Sequence, residues 1–422
     1  MFAMTYISRL VDTELALLLD SLGGVLIEGP MGCGKSETAR RVSRREINFD
    51  LDLNAQNLLG ISPESLLNGP YPTLFDEWQA APGIWNQARH AVDIGDGTGK
   101  FIFTGSATPE IDKTRHPGTG RFSRIRMRPL TLAESQISNS SVSLISLLAG
   151  EAQIKPSPNS EASFGNLLRA IIRGGYPAQQ GAELNRAAKA MRSYVEQIPR
   201  MRQDYIPTGL RSPATMQALL LALARVLGAE LNYARLARDV AVLHAQVAES
   251  TIAEYVHTLE KMFFVTLTPP WYSHLRSNIR ISQRKKLYFA DPSIPAALLG
   301  ATESSLLEDL ETTGFLFENL VHRDLSVFLD QIGGEITHYR DKANLEVDFI
   351  IRTNSGLWAP IEVKLGPARA QDGIVTIERL VRKVNVEKMG QPAFKAVITT
   401  GEYSYRDPDT NTFVISIFHL GL

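Results

Sequence analysis

A chain of 422 residues with 44% apolar side chains can form two or three domains with separate cores, which excludes wholesale disorder. A formal net charge of −1 excludes a global field that would draw the chain to nucleic acid, so any such contact rests on local patches. The single cysteine, Cys33, excludes an intrachain disulfide and fits a reducing compartment. No apolar run reaches the roughly 18–20 residues of a membrane span, and Met1–Thr5 lack a signal peptide's basic and apolar regions. A soluble cytoplasmic protein with no membrane partner is expected.

Residues 8–22 alternate apolar and polar groups at helical spacing. They lead into the apolar run Val25-Leu26-Ile27 and then Gly29-Pro30-Met31-Gly32-Cys33-Gly34-Lys35-Ser36. This is the complete G-x-x-x-x-G-K-[ST] pattern, with a strand before it and a helix opening at Glu37. Its glycines let the backbone N–H groups face inward, forming an anion cradle at the positive end of a helix. Lys35 brings a point charge to the β/γ-phosphates, and the Ser36 hydroxyl is placed to ligate Mg²⁺. Gly29 to Glu37 are therefore the expected nucleotide contacts, with Cys33 as a small filler.

A second strand is expected at Ile47–Leu51, then turns to Pro72, then Thr73-Leu74-Phe75-Asp76-Glu77. Two acids at a strand's carboxyl end, about forty residues after the phosphate loop, suit a magnesium-dependent NTPase. Asp76 would hold the metal through water, and Glu77 would polarise the attacking water as general base. Lys100–Ser106 reads as a buried strand whose carboxyl end brings Thr104 or Ser106 to the nucleotide, the sensor 1 role. In Arg121–Arg128, alternation puts Arg124, Arg126 and Arg128 on one face of a strand. Arg121 is the candidate arginine finger, in its own subunit or a neighbour's; a solvated basic edge strand is the alternative.

Residues 135–163 are Ser-rich, with Pro156 and Pro158, and read as a linker or insertion. Helical patterns run from Phe164 to about Leu227, interrupted at Arg173-Gly174-Gly175-Tyr176-Pro177. Two further helices (Tyr233–Val240 and Ser250–Met262) and strands at Phe263–Thr268 and Lys286–Phe289 suggest a winged-helix module. Its wing carries Arg276, Arg280, Arg284, Lys285 and Lys286. The second helix bears Glu254 and Glu260 with few basic groups, so protein packing competes with DNA reading.

The last hundred residues carry a second chemical pattern. Glu318 lies on a helix with an apolar face, Asp348 on a strand, and Ile361-Glu362-Val363-Lys364 on the next. An acid followed by E-x-K on a neighbouring strand is the PD-(D/E)xK nuclease arrangement. Glu318, Asp348 and Glu362 are then candidate metal ligands, and Asp348, Glu362 and Lys364 candidate catalytic groups. The alternative is an exposed hairpin face with a Glu362–Lys364 ion pair. The histidines show no metal-ligand spacing, and no G-x-S-x-G nucleophile pattern or internal repeat occurs.

In order, these pieces resemble a widespread bacterial and archaeal group of AAA-type ATPases, in which a short ATPase core precedes a carboxy-terminal domain of unknown function. The resemblance runs through Gly29–Ser36, Leu74-Phe75-Asp76-Glu77, Thr104-Gly105-Ser106, Gly120-Arg121 and Arg128-Pro129-Leu130-Thr131-Leu132-Ala133-Glu134. It continues through Arg173–Pro177, Leu287-Tyr288-Phe289-Ala290-Asp291, Phe317–Val321, Glu346–Phe349 and Ile361–Lys364. It implies an α/β fold class: a P-loop NTPase (AAA-like) parallel-sheet core over 1–134, and a helical and winged-helix domain over 164–300. A small α/β nuclease-like domain over 301–422 completes it. It also implies ATP binding and hydrolysis, with ATP and Mg²⁺ as the expected cofactors; the first functional expectation is that nucleotide state regulates the carboxy-terminal domain. DNA and a second copy or another protein are candidate partners. The competing reading is a nucleotide-dependent switch or scaffold whose nuclease-like domain is catalytically silent.

Overall fold

The computed structural model describes residues 6–95, 97–105, 118–154, 158–200, 212–272 and 284–422, so Ser106, Pro156, Arg276 and Arg280 lie outside the described residues. The chain divides into two compact units: 1–129 with 176–178 and 261–264, and the remainder.

The first unit runs α1 (Val11–Ser21), β1 (Gly24–Glu28), α2 (Lys35–Val42), β2 (Arg45–Asn48), α3 (Leu53–Ile61) and α4 (Pro63–Leu67). It continues with β3 (Thr73–Asp76), α5 (Gly83–Ile94), β4 (Phe101–Gly105) and β5 (Phe122–Arg126). The strands form a five-stranded sheet in the order β2-β3-β4-β1-β5, and every pairing is parallel. β1, β3 and β4 are buried at every residue, as a parallel sheet covered on both faces requires. Alternation sends Leu26, Phe75, Phe101 and Phe103 to one face, against Ile84, Trp85 and Ala88 of α5. Val25, Ile27, Leu74 and Ile102 go to the other, with Val11, Leu15 and Leu19 of α1, Ala39 and Cys33. Strand β2 begins and ends earlier than the expected Ile47–Leu51. The Asn48 side-chain oxygen accepts from the N–H groups of Asp50 (3.0 Å) and Leu51 (3.2 Å), which turns the chain out of the sheet.

The second unit begins with β6 (Val142–Ser143), α6 (Leu144–Ala149), α7 (Phe164–Arg173), α8 (Leu184–Gln197) and α9 (Pro213–Arg225). Next come α10 (Tyr233–Leu243) and α11 (Glu249–Lys261), then the antiparallel pair β7 (Val265–Thr268) and β8 (Lys286–Phe289). After α12 (Ser293–Leu298) and α13 (Glu303–Glu308), α14 (Leu310–Ile332) leads to β9 (Gly334–Arg340), β10 (Glu346–Thr353) and β11 (Trp358–Val363). The chain ends with α15 (Ala370–Lys383), β12 (Ala396–Thr399), β13 (Tyr405–Arg406), β14 (Phe413–Ser416) and β15 (Leu420–Gly421). The six-stranded sheet has the order β13-β14-β12-β11-β10-β9, antiparallel from β9 to β11 and parallel from β11 through β12 to β14. Ile374 and Ile377 of α15 cover Val397 and Val414.

Within the Ser-rich stretch, read as a linker or insertion, β6 pairs with β15, and the Ser138 hydroxyl donates to Leu420 O at 2.7 Å. Helix α14 has more than an apolar face, because from Leu316 to Leu329 it is buried around its circumference, polar residues included. The buried charge of Arg323 is compensated locally. Arg323 Nη1 lies 2.9 Å from Asp291 and Nη2 lies 2.7 Å from Asp324. Asp291 also accepts from Gly175 N (2.8 Å), and Asp324 from Leu132 N (3.0 Å), so one buried cation ties four separate segments together. Removing one partner of such a pair leaves an uncompensated buried charge. Arg323→Met is expected to lower unfolding free energy by about 3–5 kcal/mol in chemical denaturation; a loss below about 1 kcal/mol would contradict this account of the knot.

Candidate nucleotide site and carboxylate pocket

Strand β1 ends at Glu28 and α2 begins at Lys35, so Gly29–Gly34 form the turn at the carboxyl edge of the sheet, where ligands of open parallel sheets sit. Gly32 (φ 77°) and Gly34 (φ 106°) occupy the left-handed region that favours glycine. At Gly29 the constraint is space: a Cβ there would come within 2.1 Å of the Met127 carbonyl oxygen. Lys35 reaches back across the loop, its ammonium donating to the carbonyls of Gly29 (2.9 Å) and Pro30 (3.0 Å). Arg9 clamps the other side, donating to Cys33 O at 2.9 Å and Arg128 O at 2.6 Å.

Sheet order places β4 between the loop's strand and the acid-bearing β3, with Thr104 in register with Asp76. The Asp76 carboxylate accepts from Ser36 Oγ at 2.8 Å, Thr104 Oγ1 at 2.5 Å and Asn48 Nδ2 at 3.2 Å. Arg40 approaches it to 3.5 Å. The structure thus brings Lys35, Ser36, Asp76 and Thr104 together, and adds Arg9, Asn48 and Arg40, which the sequence reading missed. Asn48 lay inside the strand expected at Ile47–Leu51 and closes the observed β2, an end the sequence did not mark; Arg9, distant in sequence, had no signal. Ser36 and Asp76 offer hard oxygen donors side by side, a donor set that fits Mg²⁺.

Glu77 is a non-glycine residue in the left-handed region (φ 50°, ψ 41°), a conformation that costs on the order of 1 kcal/mol. Gln79 donates to that carboxylate. Burial first, and the Asp76 charge next, push the Glu77 carboxyl above its ordinary range, with Lys35 opposing.

Arg121 does not join this group. It precedes β5 at the amino edge of the sheet, where its carbonyl accepts from Gly24 N and its Nε lies 2.7 Å from Asp93. The phosphate loop is at the opposite edge, about 16 Å away along a five-residue strand, so Arg121 cannot serve its own subunit's nucleotide. Arg124, exposed on an edge strand 3.6 Å from Glu28, fits the solvated alternative.

In the second unit, the antiparallel register sets Asp348 of β10 opposite Glu362 of β11. Glu362 accepts from Asp348 N (3.2 Å) and from the Lys364 ammonium (2.5 Å), and Asp348 accepts from Val363 N (2.8 Å). Glu318 projects from α14 and accepts from the Tyr288 hydroxyl at 2.5 Å. Lys286, expected on an exposed wing, is only 2% exposed. Its ammonium is 2.7 Å from Glu346 and 3.7 Å from Glu318. Glu318, Asp348 and Lys364 line a cavity of about 1380 Å³, together with Phe164, Phe315 and Tyr403. Burial drives the Glu318 and Glu362 carboxyls upward, and the Asp348 charge adds to it while the lysines oppose. Burial works against the Lys286 charge too, but Glu318, Asp348 and Glu346 outweigh it.

The expected metal set of Glu318, Asp348 and Glu362 is not assembled as a cage. Among the described residues, no three His, Cys, Asp or Glu side chains are spaced to hold a metal. The reason is local: Glu318 is turned to Tyr288 and Lys286, and Glu362 to Lys364.

Residues 23–136 match the model of an AAA domain. Residues 165–305 and 313–420 match two domains of unknown function (DUF8612 and DUF4143). Among solved structures the chain is similar to the Walker-type ATPase PABY2304 of Pyrococcus abyssi. The identity is 14%, with 70% of this chain and 96% of that chain covered, at a TM-score of 0.42. No curated protein matches. Among the described residues, no helix is long and apolar enough to cross a membrane.

The steric argument at the loop makes a direct expectation. Gly29→Ala should weaken ATP binding by about tenfold or more in calorimetry, because the Met127 backbone must retreat before the loop can close. Unchanged affinity would show that the loop tolerates the displacement.

Proposed function

We propose that the protein binds and hydrolyses ATP with Mg²⁺ and that its nucleotide state controls the carboxy-terminal domain. The Ser36–Asp76 hydrogen bond carries this reading, because it joins the end of the phosphate loop to the acid of β3 through one oxygen pair. The loop's backbone N–H groups, Pro30 having none, grip the phosphates, and Lys35 leaves its loop carbonyls for the β/γ-phosphates. Ser36 and Asp76 are the residues that would hold Mg²⁺, and the ion would offset phosphate charge. Thr104 and Asn48 fix the Asp76 carboxylate, and Glu77 takes the proton of the attacking water. Lys35→Ala is expected to weaken ATP binding, whereas Glu77→Gln should retain binding and lower turnover by roughly two orders of magnitude or more. Normal turnover by Glu77→Gln would overturn the assignment of the base.

For the carboxy-terminal domain, the helix–strand–strand placement of Glu318, Asp348 and Lys364 around one cavity, with Glu362 buried beside Asp348 and Lys364, supports a nuclease-like, DNA-acting site. Incubation of the purified protein with DNA and Mg²⁺ or Mn²⁺ tests it. Cleavage that Asp348→Ala abolishes, with ATP turnover intact, is the expected outcome. A second reading, a nucleotide-dependent switch with a silent binding domain, draws support from the lysine pairing of Glu318 and Glu362. Intact ATP turnover with no cleavage across DNA and RNA substrates would decide for it. Arg121, half-exposed beside Asp93, is the finger candidate for a neighbouring subunit.

A further inference from the structure

The carboxylate pocket is not made by the last hundred residues alone. Strand β8, in the antiparallel pair with β7, sets Lys286 and Tyr288 against its Glu318. Tyr288 is fixed there, since the His322 ring stacks on it at 4.1 Å and 11°. Thr268 of β7 holds His322 in turn, Oγ1 to Nε2 at 2.8 Å. The residues just before Lys286 behave as wing residues should, with Arg284 and Lys285 exposed, whereas Lys286 turns inward. An ammonium is taken out of water only where opposite charge compensates it, and this one finds Glu346 at 2.7 Å and Glu318 at 3.7 Å.

This arrangement conflicts with a divalent cation centre. Mg²⁺ requires near-octahedral oxygen ligation at short distance, and Ca²⁺ or Mn²⁺ also takes several carboxylate or water oxygens. Here Glu318 and Glu346 already face one ammonium, Glu362 faces a second, and Asp348 Oδ2 is spent on Val363 N. We propose that Lys286 is the resident cation of this pocket, standing among carboxylates that would otherwise hold a divalent ion, and that it excludes such an ion while in place. The inference rests on reading the pocket as the working site of the carboxy-terminal domain. It adds a condition: any metal-dependent reaction there first requires Lys286 to leave.

The test is Mn²⁺ binding by the full chain without nucleotide, followed by the electron paramagnetic resonance of free Mn²⁺. Asp76→Asn in every sample removes the metal ligand of the other unit. With Lys286 intact, no uptake that depends on Asp348 is expected. Lys286→Met should gain one Mn²⁺ per chain, bound about tenfold or more tighter than in its parent and lost again with Asp348→Asn. Lys286→Arg, which keeps a cation, should behave as the parent. Asp348-dependent uptake with Lys286 present, or none in a folded Lys286→Met, overturns the proposal. If Lys286→Met folds poorly, added Mn²⁺ must raise its melting temperature and leave that of the parent unchanged; no rise also overturns it. If DNA is not cleaved but Lys286→Met gains Mn²⁺, the nuclease reading falls while the cation assignment stands.

Discussion

The hydrogen bond from Ser36 to Asp76 is the constraint on which the amino-terminal unit depends. It joins residues forty positions apart, and it forms only because β4 separates β1 from β3 while all three strands end at one edge. A one-residue slip in either pairing would send Asp76 to the opposite face of the sheet, among the aromatic side chains of the α5 layer. The apolar alternation of β1, β3 and β4 is thus what holds the polar group in register. Stability and site geometry share a single cause.

What was legible in the sequence follows from how local each signal is. The phosphate loop is contiguous, so its glycines, Lys35 and Ser36 could be read directly, and strand patterns around Asp76 and Thr104 were strong enough to place both near it. For Arg121 the choice between its own subunit and a neighbour's stayed open, because the sequence shows that an arginine follows a flexible turn but not which edge of the sheet the turn occupies. Only the parallel register of β5 with β1 decides that. The end of β2 was missed for a similar reason, since a side-chain turn at Asn48 competes with an apolar run that would otherwise extend the strand.

In the second unit, Asp348, Glu362 and Lys364 were found because two-residue spacing on adjacent strands is visible in a sequence. Lys286 was read as a wing residue because its neighbours Arg284 and Lys285 are basic and exposed. Its real partners, Glu318 and Glu346, are 32 and 60 residues away, and no local pattern reports such pairing. The buried Arg323 likewise looks like an ordinary helix residue until Asp291 and Asp324 are seen beside it. Long-range charge compensation is what a single sequence conceals. In this unit it determines whether a cluster of acids is a metal cage or a neutralised pocket.

The central claim is that the amino-terminal unit grips a triphosphate with its loop amides and an Mg²⁺ ion beside Ser36 and Asp76. Titration calorimetry of ATP into the purified protein, with and without Mg²⁺, tests it most directly. The account predicts saturable heat at one site per chain, with affinity that falls when Mg²⁺ is withdrawn. No heat under either condition would contradict it.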